Sequence, residues 1–179
     1  MKHVYHIALC SFVYILFNNS VYAADDVVNY SCAQQENEVT YCLDSKGKPL
    51  SGKVEQIRDD GTPQSIENYS KGYLNGLVTY FDADGKQQER LYYNNGIKNG
   101  MYKKYYPNRT IQILANYKKG LLDGRVDLYS DAGKLKGRMY YKNGYLERGY
   151  CESNGQKQNF SAQKITEQQF NTLVQCGDL

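Results

Sequence analysis

Tryptophan is absent from the 179 residues, and the only two histidines are His3 and His6. Without imidazole beyond residue 6, the rest of the chain cannot assemble a Ser-His-Asp or Cys-His nucleophilic site. A zinc site there would also lack its commonest nitrogen ligand. Phosphate-loop and dinucleotide glycine motifs are missing too, because the glycines fall between strand-like runs rather than between a strand and a helix. Phenylalanine is scarce: beyond residue 23 it stands only at Phe81, Phe160 and Phe170. Long aliphatic side chains are few, which argues against a thick core. No stretch reaches the roughly 20 apolar residues that a spanning helix needs.

The longest apolar run is Val4 to Phe17. It follows Lys2 and is closed by Asn18, Asn19 and Ser20, with Val21-Tyr22-Ala23 offering a small-residue cleavage site. This layout predicts a secretory signal peptide over residues 1–23. An uncleaved anchor is the weaker reading, because the run is short, and Cys10 sits inside it. Residues 24–179 suit one domain. Four cysteines remain there, Cys32, Cys42, Cys151 and Cys176, and an even count in an exported chain reads as two disulfides. A periplasmic or secreted location is therefore expected.

What is abundant is tyrosine and glycine, and they recur in order. "YSKGYLNG" (69–76), "YNNGIKNG" (93–100), "YKKGLLDG" (117–124) and "YKNGYLER" (141–148) repeat with a period of 24 residues. Columns form at Gly52/76/100/124, Gly72/96/120/144, Tyr69/93/117/141 and Tyr73/Ile97/Leu121/Tyr145. A ring column runs Ile57, Phe81, Tyr105, Tyr129, and a turn column runs Gly61, Gly85, Arg109, Gly133. Fixed-period self-similarity marks a repeat architecture. "RDDGTP", "DADGKQ" and "SDAGKL" are turn chemistry, as are "NNG" and "KNG". Two strands and two turns fill each period, so each unit reads as one β-hairpin. Glycine recurs too often for helices. Val54 and Ile57 lie three apart in one strand, which requires either a bulge or apolar residues on both faces.

The expected fold is all-β: an elongated antiparallel sheet of tandem 24-residue β-hairpins over residues 50–148. Its edges need caps. Residues 24–49 read as a hairpin stapled by Cys32–Cys42. Residues 149–179 read as a second cap, with a short helix over "TEQQFNTLVQC" (166–176) tied back by Cys151–Cys176. Cross-pairing the two ends would need a closed barrel, since eight strands span about 38 Å and bridged Cα atoms lie within about 7 Å.

With its Y-x-x-G-x-x-x-G phrase and DG turn at this period, residues 50–148 resemble the bacterial MORN-repeat variant. The resemblance implies hairpins in a row and a non-catalytic interaction role. Related bacterial chains are often labelled antitoxin-like, and MORN repeats elsewhere are associated with membranes and protein assembly. Two departures stand out. Arg109 replaces the turn glycine of the third unit beside Pro107, and the phrase decays after Leu146.

No cofactor or metal is expected. Asp59-Asp60 and Asp82-x-Asp84 read as turn residues before they read as calcium ligands. The tyrosine columns read as sheet glue before they read as a stacking platform. Charge is more informative. Residues 24–97 hold seven basic and twelve acidic residues, and residues 98–148 hold twelve basic and four acidic. Halves of opposite sign suggest an oriented electrostatic encounter, although edge lysines also simply keep sheets soluble. The expected function is a non-catalytic scaffold that meets an acidic protein or an anionic envelope surface, with no nucleic acid in that compartment. The expected charge contacts are Lys103, Lys104, Lys118, Lys119, Arg125 and Lys136, with Tyr105, Tyr106 and Tyr129 adding contact area. An antitoxin-like inhibitor and a carboxylate-based hydrolase are the alternatives.

Overall fold

The computed structural model describes residues 20–23, 26–35, 39–153 and 155–164. They form fifteen strands and, among the described residues, no helix. The first five are β1 (Ser20–Ala23), β2 (Asp26–Gln34), β3 (Thr40–Asp44), β4 (Gly52–Ile57) and β5 (Pro63–Ser70). Next come β6 (Tyr73–Leu74), β7 (Gly76–Phe81), β8 (Gln87–Asn94), β9 (Ile97–Tyr105) and β10 (Ile111–Lys118). The last are β11 (Leu121–Leu122), β12 (Gly124–Tyr129), β13 (Leu135–Lys142), β14 (Tyr145–Ser153) and β15 (Gln156–Lys164). They join in one antiparallel sheet in the order β15-β14-β13-β12-β10-β9-β8-β7-β5-β4-β1-β2-β3. From β4 onward, sequence neighbours are sheet neighbours, as a row of hairpins requires.

Two turn types alternate along the sheet. The tight turns leave two residues between strands, as the pairs Ser70↔Tyr73, Asn94↔Ile97, Lys118↔Leu121 and Lys142↔Tyr145 show. Both central residues have positive φ, for example Asn95 at 47° and Gly96 at 77°. That is a type I′ turn, whose twist matches the strands it joins. Its glycine amide also links units. Gly72, Gly96, Gly120 and Gly144 N–H donate to the carbonyls of Leu50, Leu74, Lys98 and Leu122, each at 2.8 Å. The residue before the second glycine of the phrase caps the next tight turn. Ser51 Oγ accepts from Lys71 N (3.0 Å), Asn99 Oδ1 from Lys119 N (3.2 Å) and Asp123 Oδ2 from Asn143 N (3.1 Å).

The repeated tyrosine has its own partner. Cross-strand pairs are Gly52↔Tyr69, Gly76↔Tyr93, Gly100↔Tyr117 and Gly124↔Tyr141. An aromatic ring opposite a glycine covers backbone that would otherwise face water. Each such pair contributes about 0.2–1 kcal/mol.

The wide turns close with the N–H of Gly61, Gly85, Arg109 and Gly133 donating to the carbonyls of Arg58, Asp82, Tyr106 and Ser130. Position four of this turn is left-handed in every unit, including Arg109 at φ 69°. A β-bulge follows, between Gln56 and Ile57, Tyr80 and Phe81, and Leu128 and Tyr129. The extra residue lies on the returning strand, at Gln64, Gln88 and Lys136, so it does not fall between Val54 and Ile57. Arg109 holds a conformation that suits glycine and costs a side chain about 1 kcal/mol. Arg109→Gly is expected to raise the stability of the chain by about 1 kcal/mol, read as a higher denaturant midpoint with an unchanged slope.

Alternation gives the sheet a buried inner face and an outer face. The inner face runs through Val54, Val78, Leu91, Ala115, Val126, Leu128 and Met139, all buried. Their register is continuous: Val78↔Leu91↔Tyr102↔Ala115 on one side and Val126↔Met139↔Gly149 on the other. The larger buried cluster lies in the late units and the smaller, around Cys42, Leu50, Val54 and Tyr69, at the N-terminal end.

The N-terminal hairpin β2–β3 carries the expected disulfide, Cys32–Cys42, with Cα atoms 4.1 Å apart. Cys42 N donates to Gly72 O (2.8 Å) and Cys42 O accepts from Leu50 N (3.0 Å), which docks this hairpin on the first unit. β1 comprises the last four residues of the expected signal peptide and lies between β4 and β2. Residues 1–19 fall outside the described residues.

At the other end, the expected helical cap is not found among the described residues. Residues 145–164 form a fifth hairpin, β14–β15, that continues the sheet. The ladder amides of β13 and β14 are satisfied by another strand, which a helix could not supply. The segment 166–176 read as a helix lies outside the described residues. Cys151 is disulfide-bonded, to a partner outside them as well.

Candidate interaction face

The outer face is polar, and from β8 to β15 it is basic. The alternation that buries Leu91, Tyr102, Val126 and Met139 turns Arg90, Lys103, Arg125 and Arg138 to the opposite side. Arg90 pairs with Lys103, Asp127 with Arg138, Arg138 with Tyr150 and Tyr140 with Arg148. Lys157 pairs with Glu152 at the far end.

The one buried acid on this face is Asp127, 1% exposed. Its carboxylate accepts from Arg138 Nε at 2.6 Å and Nη2 at 3.2 Å, and Arg125 Nε lies 3.1 Å away. The hydrogen bond raises the Arg138 guanidinium further above its ordinary range. Asp127 thus fixes two cations in place while neutralising one. Rings hold others: the Arg148 guanidinium lies 4.5 Å from the Tyr140 centroid and the Lys157 ammonium 3.9 Å from that of Tyr150. Tyr92 and Met101 stand 44% and 47% exposed on the same face.

The residues singled out from sequence do not form one patch. Lys103 and Arg125 lie on the outer face, and Lys136 is the extra residue of the β13 bulge, beside the fourth wide turn. Lys104 lies on the inner face, half-buried, with Nζ 3.3 Å from Glu89 Oε1. Lys118 and Lys119 sit exposed at the tight-turn edge, the latter inside the turn. Tyr106 donates from its hydroxyl to Tyr129 O (2.9 Å), a tie between the third and fourth units. Tyr129 and Tyr105 are half-buried beside the wide turns. Arg90, Arg138, Arg148, Lys157 and the rings between them were missed as contacts. Strict period-two parity within each strand would have found them.

The inner face carries one buried carboxylate, Glu67, opposite Val54. Its Oε1 accepts from Ser65 Oγ (3.0 Å) and Gln56 Nε2 (3.4 Å), and its Oε2 from Tyr69 OH (2.7 Å). Gln56 Nε2 also donates to Tyr30 OH at 2.7 Å. Burial, then the charge of Glu67, pushes Tyr30 up to about 12 and raises Tyr69 further. Burial likewise raises Tyr80 and Tyr141. Both oxygens of Glu67 are committed to fixed donors, and the phenols around it stay neutral at ordinary pH. Among the described residues, no three His, Cys, Asp or Glu side chains gather as a metal site.

Curated protein sequences gave no match. Among solved structures, a TarM mutant from S. aureus in complex with Fondaparinux, alpha-GlcNAc-glycerol and UDP aligns at 14% identity and TM-score 0.29. The alignment covers 59% of this chain and 19% of that one. A second TarM structure aligns at 15% identity and TM-score 0.29, over 63% and 20%. A GtfA/B complex bound to UDP and GlcNAc aligns at 11% identity and TM-score 0.28, over 72% and 26%. The chain therefore spans about a quarter or less of the length of these structures. Two segments, residues 74–96 and 122–143, match the model of the MORN repeat variant. They are the tight-turn-to-tight-turn stretches built on the wide turns at Asp82–Lys86 and Ser130–Lys134.

Proposed function

We propose that the chain is an exported, non-catalytic scaffold whose outer sheet face docks an anionic envelope surface. The observation that carries this is the row of cations from Arg90 to Lys157; among the described residues, the acids that strand register places in that row are Asp127 and Glu152. Asp127 is spent on orienting Arg125 and Arg138. Fixed guanidiniums with intervening rings suit phosphate and carboxylate groups better than flexible lysines do. The MORN-variant repeats support a scaffold role, and the disulfides at Cys32–Cys42 and Cys151 suit an oxidising compartment.

The test uses residues 20–179, which keep β1, and vesicles of phosphatidylglycerol. Reversing Lys103→Glu and Arg148→Glu together should lower vesicle binding at least tenfold, about 1.4 kcal/mol. Binding should also weaken as salt rises. Lys118→Glu with Lys119→Glu, at the edge, should matter less. Equal loss from both pairs, or none from the first with the fold intact, would move the contact off the outer face.

A further inference from the structure

The repeat provides its own internal control, since each position has counterparts 24 residues away. The wide turns read Arg58-Asp-Asp-Gly-Thr, Asp82-Ala-Asp-Gly-Lys, Tyr106-Pro-Asn-Arg-Thr and Ser130-Asp-Ala-Gly-Lys. The third departs at all five positions from the turn of the second. Among the departures is Arg109, held at a φ of 69° where the other units place glycine. Strain retained where a glycine would relieve it points to a role outside folding. Two residues after each wide-turn segment stand Gln64, Gln88, Gln112 and then Lys136, so the fourth unit departs there too.

Most of these departures meet in one place, and Arg109 directly follows one of its lining residues. An open groove of about 440 Å³ lies between the third and fourth wide turns, lined by Tyr106, Pro107, Asn108, Ser130, Asp131 and Lys136. The groove is already built. Asn108 Nδ2 and Thr110 Oγ1 donate to Asp131 O at 2.8 and 2.9 Å, and Asn108 Oδ1 accepts from Thr110 N at 3.1 Å. Tyr106 OH is anchored on Tyr129 O. These bonds use backbone carbonyls, so the Asp131 carboxylate remains to accept from a ligand, and Lys136 makes no ion pair among the described residues.

From this we infer that the groove between the third and fourth wide turns is a binding site for an acidic sugar residue. Tyr106 and Pro107 give the apolar wall on which a pyranose ring stacks. Asp131 accepts from ring hydroxyls. Lys136, with Arg109 next in sequence to the lining residue Asn108, holds the sugar's carboxylate. The volume is at the small end of the ligand-pocket range, which suits one or two sugar units. The inference deepens the proposed envelope role by giving it a local point of recognition. It stands apart from the outer-face contact at Lys103 and Arg148, neither of which lines the groove.

The experiment is a titration of the isotope-labelled chain followed by backbone amide shifts. The probes are D-glucuronate, a linear glucuronate-containing oligosaccharide, and D-glucose as the neutral control. Expected are saturable shifts confined to residues 106–110 and 130–136 with both acidic probes, and little response to glucose. A tighter response to the oligosaccharide identifies a polymer unit, and an equal one a free sugar. Lys136→Gln should weaken binding roughly tenfold. Arg109→Gly should stabilise the chain and yet weaken binding, a combination that a purely structural arginine would not give. The inference is overturned if no shifts appear in the groove. Binding that survives both substitutions, or glucose binding as well as glucuronate, overturns it too. Loss of vesicle binding by the outer-face reversals with intact sugar shifts separates the two sites.

Discussion

Above pH 10 the chain is expected to unfold in a single steep transition. Tyr69, Tyr80 and Tyr141 are raised chiefly by burial, and Tyr30 is pushed up to about 12 by burial and by the charge of Glu67. In the unfolded chain each phenol ionises near pH 10. A group whose folded value is raised stabilises fully below its unfolded value and loses that contribution as pH rises toward the folded one. The window therefore opens at about pH 10 and extends upward. Each phenol that only the unfolded chain releases removes about 1.4 kcal/mol per pH unit. Tyr69 and Tyr141, 8% and 2% exposed, together remove about 3 kcal/mol per unit. Two such units remove about 6 kcal/mol, and Tyr80 and Tyr30 add to that, which reaches well into the roughly 5–15 kcal/mol that holds a domain folded. Tyrosinate absorbance should rise in two stages, exposed rings first and the buried set only as the far-ultraviolet signal collapses. A single smooth ionisation with the fold intact at pH 12 would contradict the packing of the tyrosine column. Tyr69→Phe, which also frees Glu67 Oε2 of its donor, should shift the transition without abolishing it.

The second large effect is expected at Gly149. A Cβ there would stand 2.8 Å from Arg138 O, from Met139 Cα and from Met139 Cγ. Two of these are backbone atoms of the paired strand β13, and Met139 is fully buried, so nothing near can yield cheaply. Gly149→Ala should cost about 3 kcal/mol, the upper range for overpacking. The loss should be uneven. β14 and β15 end the sheet, so the damage should appear as faster amide exchange in residues 145–164 with the first two units still protected. Gly124→Ala is the control, because a Cβ at Gly124 meets nothing within 4 Å. Its cost is confined to a φ of 104°. Equal protection in both variants would mean that the β13–β14 register is looser than described.

Much of this was legible in the sequence because the repeat supplies four readings of each position. The hairpin period, both turns, the Tyr–Gly columns and the Cys32–Cys42 staple all follow from local chemistry that recurs. The fifth hairpin was legible only from the Asn154-Gly155 turn signal, which was passed over. Its turn lacks the phrase, and Phe170, Leu173 and Val174 at helical spacing drew attention away from the unmet amides of β14. The interaction face was half legible. Net charge by segment identifies the basic units, but it sums both faces, and so Lys104 was grouped with Lys103 although they point apart. Only strand parity separates them, and each β-bulge resets that parity. Asp127 was invisible for a related reason: one acid in a basic stretch looks like dilution until its two arginine partners are placed around it.

The amide links from each tight-turn glycine to the unit before it have a mechanical meaning. They run across the strands, so tension applied through the two ends of the chain loads them one unit at a time rather than together. Under pull the sheet would peel like a zip, releasing roughly 80 Å of contour for every 24 residues. A surface-bound copy would give way in steps before its bond to the surface broke.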